Sequence, residues 1–333
     1  MRFPRITAFV VLAGLLVATL PATTIKIGSV APERSPWTEA LLEMAREWKT
    51  ITGGQVELKL YSGGIAGGED DMIRKTRVGT LGGAALTNLG LTHIYSDAYV
   101  LNTPFLFDSD AELNAVLEQM KPEFERKIEE KGFKVVIWTL TGWLNFFSKW
   151  RLAGPEDLKR SKISFTAGEP EMEQAWKKMG YRVVPLDLKD LMMALQSGMV
   201  DSFYLPPLVA GSGQYFPFAK HMLDLKVAPL LGGVVIADRV WNKIPAQYHQ
   251  PMLAAARRIG AQLMSKINAL EAKTLNTMKQ NGLVIDAAPA GALQAWRAVA
   301  SKGNDELIGK AFSKEVYDQM MAKLRECRKK NGK

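Results

Sequence analysis

The chain has one cysteine in 333 residues, Cys327, which excludes an internal disulfide framework and any multi-cysteine metal centre. Histidine is nearly as scarce. His93, His221 and His249 stand far apart, and none has a Cys or His partner at ligand spacing. The motifs GxGxxG after a strand, GxxxxGK followed by Ser or Thr, GxSxG and HExxH are all absent. Nothing anchors enzyme chemistry or a cofactor, so neither is expected.

A charge pattern that would select nucleic acid is also missing. The formal net charge is +9, but acids are interspersed with the Lys and Arg residues, as in Lys127-Ile128-Glu129-Glu130-Lys131. The one dense basic cluster, Arg325 to Lys330, reads as a solvated tail holding Cys327. Glu69-Asp70-Asp71 reads as an acidic first turn that complements a helix dipole and not as a cation site.

One apolar stretch stands out, Ile6 to Leu20. It follows the basic start Met1-Arg2-Phe3-Pro4-Arg5 and precedes Pro21-Ala22, the pattern of a secretory leader cut near Ala22. It is shorter than the roughly 20 apolar residues of a spanning helix. Residues 1–22 are therefore expected to be a signal peptide, and the mature protein periplasmic. Their removal takes away Arg2 and Arg5 and no acid, which leaves +7.

The remainder, with 47% apolar content overall, is long enough for about two domains. Strand and helix signals alternate from residue 24. Thr24 to Val30 and Val56 to Tyr61 carry period-two patterns. Ser35-Pro36 supplies an N-cap and a first-turn proline for a helix with Leu41, Ala45 and Trp48 on its stripe, and Gly79 stops a helix over 70–78. A short strand is expected near Ala84 to Leu86. Further strands are expected over 134–140, 162–166 and 200–204, with helices over 155–160, 169–179 and 188–197. This grammar gives βαβ units around largely parallel sheets, an α/β fold. From Pro245 to Asn281 one helix of about 54 Å, with Leu253, Ala256, Ile259, Leu263, Ile267 and Leu270 on one face, is long enough to brace both domains.

Six ordered stretches carry a resemblance. They are Ile27-Gly28-Ser29-Val30-Ala31-Pro32, Tyr61-Ser62-Gly63-Gly64 with Gly67-Gly68-Glu69, Arg77-Val78-Gly79-Thr80, Thr103-Pro104-Phe105-Leu106-Phe107, Gly154-Pro155-Glu156-Asp157-Leu158-Lys159, and Ala194 to Asp201. Together they resemble the DctP-type solute-binding proteins of TRAP (tripartite ATP-independent periplasmic) transporters over almost all of the mature chain. The resemblance implies a two-lobed periplasmic binding protein fold with a hinged cleft and a long helix across both lobes. It also implies a membrane permease as partner. The expected division is 23–141 with 230–269 as the first lobe and 142–229 with 270–333 as the second.

The resemblance also implies a site from which this chain departs. Where relatives grip a carboxylate with arginine, this chain has Ser164, and where a second arginine sometimes occurs it has Leu144. Leu205 replaces an asparagine that faces the ligand in many members. A pocket without the bidentate Arg–carboxylate pair leaves a small acid with a buried, unpaired charge, at a penalty of about 2 to 5 kcal/mol. Burying roughly 300 Å² of hydrocarbon instead gives on the order of 7 kcal/mol before ordering costs.

The expected ligand is therefore hydrophobic or amphipathic. Trp37, Leu89, Phe105, Phe107, Trp143, Leu144, Ser164, Phe165, Tyr204 and Leu205 are its candidate liners, with Met192 and Met193 as adaptable packing. Two alternatives stay open. The protein binds a small organic carboxylate through relocated Lys149, Arg151 or Arg182, or it passes cargo to a periplasmic tetratricopeptide-repeat protein, a partner implied by family members that lack the arginine.

Overall fold

The computed structural model describes residues 22–330; the leader expected over 1–22 falls almost entirely outside them. Among the described residues, eleven strands form two sheets. β1 (Thr23–Ser29), β2 (Val56–Tyr61), β3 (Gly83–Thr87), β4 (Phe133–Trp143) and β10 (Pro229–Ala237) build the first, in the order β2-β1-β3-β10-β4. β5 (Asn145–Ser148), β6 (Lys162–Thr166), β7 (Arg182–Leu186), β8 (Ser202–Leu205), β9 (His221–Leu223) and β11 (Val284–Asp286) build the second, in the order β11-β9-β5-β8-β6-β7. Each sheet is parallel except for one reversed strand, β10 in the first and β5 in the second. The two-lobed α/β architecture is thus present.

Local rules place the helices. Ser35 accepts the Thr38 N–H at 3.3 Å and caps the helix Pro36–Ile51, while Gly79, at φ +97°, ends the helix Glu69–Val78. The helix Ala246–Gln280 runs unbroken for 35 residues and packs on Pro36–Ile51, on β4 of the first sheet and on the short helix Pro207–Ser212 that follows β8 of the second. Five of the six residues expected on its inner face are buried; Leu270 is 37% exposed. No helix among the described residues is long and apolar enough to cross a membrane.

The C-terminal tail differs from expectation. Residues 314–330 form a helix whose Val316, Met320, Leu324 and Cys327 recur at helical spacing and are buried against the helix Asp110–Glu129. The dense Lys and Arg content conceals that stripe in the sequence. Arg328 is only partly exposed and is fully engaged. Its Nε donates to Glu112 Oε1 at 2.6 Å, and a terminal nitrogen donates to Glu112 Oε2 at 3.0 Å and to the Leu106 carbonyl at 2.8 Å. Glu112 is only 6% exposed, so this bidentate pair ties the last helix to the body of the protein.

Replacing Arg328 with Ala leaves the buried Glu112 carboxylate and the Leu106 carbonyl without this partner. Because the guanidinium is itself partly exposed, the expected loss is about 2–3 kcal/mol, read as a lower urea midpoint at unchanged slope.

Candidate functional site

Between the two sheets lies a cavity of about 410 Å³. The first lobe supplies Ser29 to Pro32 after β1, Ala85 to Thr87 of β3, Ile137, Thr139 and Thr141 of β4, and Leu230, Gly233 and Val234 of β10. Trp37, Ala40 and Leu41 reach it from the first helix and Leu263 from the long one. The second lobe closes it with Leu188, Leu205, Pro206, Val209, Ser212, Gly213 and Tyr215. None of these side chains is charged.

Backbone geometry makes the space. Any Cβ on Gly233 would stand 2.9 Å from the Ile137 carbonyl, so only glycine lets β10 lie this close to β4 along the cavity floor. Register slips between Leu230 and Leu231, where Gly142 and Leu140 are the partners on β4 and Thr141 is left over as a bulge. Gly142, at φ +145°, then directs the chain toward β5 in the other sheet.

The candidate liners separate by strand face. Trp37 and Leu205 stand in the wall. Ser164, 8% exposed, is in register with Val184 and Phe203, which puts it on the same face of the second sheet as Leu205. Phe165 and Tyr204 point to the opposite face, with ring centroids 4.7 Å apart and Trp176 5.3 Å from Phe165. Phe105 stacks on Trp296 at 5.3 Å, and Phe107 and Leu144 are buried in the same apolar cluster. Trp143 is buried there too, with its indole N–H donating to Asp110. Leu89 lies beside the second lobe: a Cβ on Gly168 would come within 3.7 Å of it. Met193 is 71% exposed.

The relocated basic candidates sit elsewhere. Arg182 begins β7, pairing with Lys162, and Lys149 follows β5, its N–H on the Asp201 carbonyl; Arg151 lies 3.8 Å from Asp286. Leu205 is at the far end of β8 from Asp201. At about 3.3 Å per residue, four residues of strand put the Lys149 and Arg182 end roughly 13 Å from it.

Several wall residues carried no sequence signal: Thr139, Leu188, Val209, Tyr215 and the β10 residues. The run Pro229-Leu230-Leu231-Gly232-Gly233-Val234-Val235-Ile236-Ala237 was the available clue, since a short continuous apolar run suits a strand buried on both faces.

The lobes also meet through a polar contact. The Tyr99 hydroxyl donates to Glu169 Oε2 at 3.3 Å, joining the 3-10 segment Ser96–Asn102 to the loop after β6. Glu169 is half-buried as a residue, yet desolvation of its carboxyl, only partly offset by the Tyr99 hydrogen bond, raises it to about 7.

An unfolded glutamate titrates near about 4.3, so the folded state holds this proton more tightly and loses stability as pH rises from about 4.5 to about 7. Glu169→Gln, which resembles the protonated form, is expected to leave stability at about pH 4 unchanged and to raise it at about pH 8 by about 1–2 kcal/mol. Urea titrations of both proteins at the two pH values check this.

A family model described as DctP, bacterial extracellular solute-binding protein, family 7, matches residues 27–310. A solute-binding protein of Verminephrobacter eiseniae is 26% identical over 300 residues, 88% of each chain. The 2,3-diketo-L-gulonate-binding periplasmic protein YiaO of Escherichia coli is 23% identical over 292 residues, 86% of this chain and 88% of its own. A TRAP periplasmic solute-binding protein of Desulfovibrio salexigens with bound orotic acid superposes with a TM-score of 0.83 at 18% identity, covering 91% of this chain and 99% of its own. One from Chromohalobacter salexigens with bound D-glucuronate gives 0.83 at 19%, covering 90% and 99%. The match spans most of the chain and the two-lobed fold agrees with it: the protein belongs to the DctP family, the solute-binding proteins of TRAP transporters.

Proposed function

We propose that this protein captures a hydrophobic or amphipathic small molecule in the interlobe cavity and delivers it to a TRAP permease. The observation that carries the reading is the wall itself: 24 residues line it, and none is Asp, Glu, Lys, Arg or His. A cavity of this size lined by apolar side chains and a few hydroxyls gives an apolar body its burial energy and gives a small dianion no counter-charge. Residues 1–22 would direct export, and the lobes would divide at 141/142, 229/230 and 269/270. A tetratricopeptide-repeat protein remains a proposed further partner.

A second reading is favoured by the relatives' ligands, since solved neighbours hold orotic acid, galacturonate, glucuronate and gulonate. In this chain such an acid would need a cation at the wall. Ser164 stands where the family's arginine is expected, and Lys149 and Arg182 are at the other end of the second sheet.

Thermal-shift screening separates the two readings. Medium-chain apolar or amphipathic compounds at about a hundredfold excess over Kd should raise Tm by roughly 5 °C, and small dicarboxylates should leave it unchanged. Leu205→Asp should abolish the apolar response. A shift produced only by dicarboxylates or sugar acids would overturn the proposal.

A further inference from the structure

The end of the second sheet away from the cavity carries a face of its own. Strand register assembles it: Ser148, which ends β5, lies opposite Ser202 and His221, Ile163 opposite Ser202, Lys162 opposite Arg182, and Val284 opposite His221. Residues flanking these positions therefore come together. Lys149, Trp150 and Arg151 follow β5, Met199 lies just before β8 and Lys220 just before β9, while Lys162, Arg182 and Val284 open β6, β7 and β11.

Cations outnumber free acids on this face. Asp201 accepts the Lys162 N–H at 2.8 Å, and Asp286 is buried beside His221 Nδ1 at 3.0 Å and Arg151 Nε at 3.8 Å. Glu156 and Asp157 on the adjoining helix Pro155–Lys159 are matched by Lys159 at 2.7 Å and Arg160 at 4.0 Å. Among the described residues, no ion pair engages Lys149, Lys162, Arg182 or Lys220. Three exposed apolar side chains stand between them, and each adjoins a basic residue. Trp150 is 54% exposed, with Lys149 Nζ 5.1 Å from its ring centroid. Met199 follows Gly198, whose carbonyl accepts from Lys162 Nζ, and the Val284 N–H donates to the Lys220 carbonyl at 2.8 Å.

We propose that this face docks on an anionic phospholipid bilayer, with Trp150 at headgroup depth and the surrounding lysines and arginines on lipid phosphates. An amphipathic indole favours a membrane–water interface, and basic side chains there gain from the negative surface and reach it on flexible stems. A protein partner suits the pattern less well. Protein interfaces centre on a contiguous apolar core depleted in charge, whereas these apolar tips are interspersed with cations. The face lies at the opposite end of β8 from Leu205, so a bilayer there holds the protein without covering the cavity wall. Docking is independent of what the cavity carries.

The test is co-sedimentation with vesicles of phosphatidylcholine alone and of phosphatidylcholine mixed with phosphatidylglycerol. The full chain is used throughout, so the apolar stretch 6–20 contributes equally to every form. The wild type should prefer the mixed vesicles, and high salt should remove the preference. Each basic side chain at an anionic surface is worth about a fivefold change in partitioning, so Lys149→Gln, Arg151→Gln and Arg182→Gln together should weaken binding to mixed vesicles by roughly a hundredfold. Removing the same charge from exposed positions of the last helix, with Lys314→Gln, Arg325→Gln and Lys329→Gln, should leave binding nearly unchanged. Brominated phosphatidylglycerol should quench wild-type tryptophan emission, and Trp150→Phe should remove most of that quenching. Equal binding to the two kinds of vesicle, an equal loss in the two triple variants, or quenching that persists in Trp150→Phe would each overturn the inference. Retention on immobilised polyglutamate without binding to the mixed vesicles would overturn it too, in favour of an acidic protein partner.

Discussion

The ladder between β4 and β10 is the constraint on which the rest of the molecule depends. It closes the first sheet, forms the cavity floor and leads the chain across to the second sheet. All three tasks require two backbones to lie closer than side chains normally permit, which Gly233 allows, and one strand to turn without losing its pairing, which the bulge at Thr141 and the positive φ of Gly142 allow. A side chain at Gly233 would meet a backbone carbonyl, which cannot rotate aside.

The second lobe assigns its residues by strand face. Successive residues of β8 serve opposite ends: Tyr204 joins the aromatic packing with Phe146 and Phe165, and Leu205 faces the cavity. The aromatic side is filled by Trp176 and Trp296, so the volume left for cargo lies on the aliphatic and hydroxyl-bearing side. Most of this lobe's aromatic bulk thus lies in structural core, with Tyr215 as its aromatic side chain at the wall.

The regular elements were legible because their signals are local. The Ser35-Pro36 cap, the Gly79 stop and the 35-residue helix follow from residue types within a turn or two. β10 was missed because a strand buried on both faces shows no alternation, and the last helix because its apolar stripe is diluted by lysine and arginine. Less of the candidate site was legible: of the ten residues expected at the ligand, Trp37 and Leu205 line the cavity. Motif position locates strand ends, as for Trp37 and Leu205, but which face of a strand meets the cavity is decided by pairing across the sheet. Phe105, Phe107, Trp143, Leu144 and Phe165 are near the right ends and in the core. Thr139, Val209 and Tyr215 lie outside the six stretches that carried the resemblance, and only the assembled lobes bring them to the wall.

The rim of the cavity has a cost of its own. Val30 and Leu188 line it while remaining 40% and 50% exposed, an oily lip open to water when no cargo is present. Were the cargo apolar, as proposed, its binding would take this hydrocarbon out of water. Loaded and unloaded forms would then differ in their tendency to self-associate as well as in occupancy.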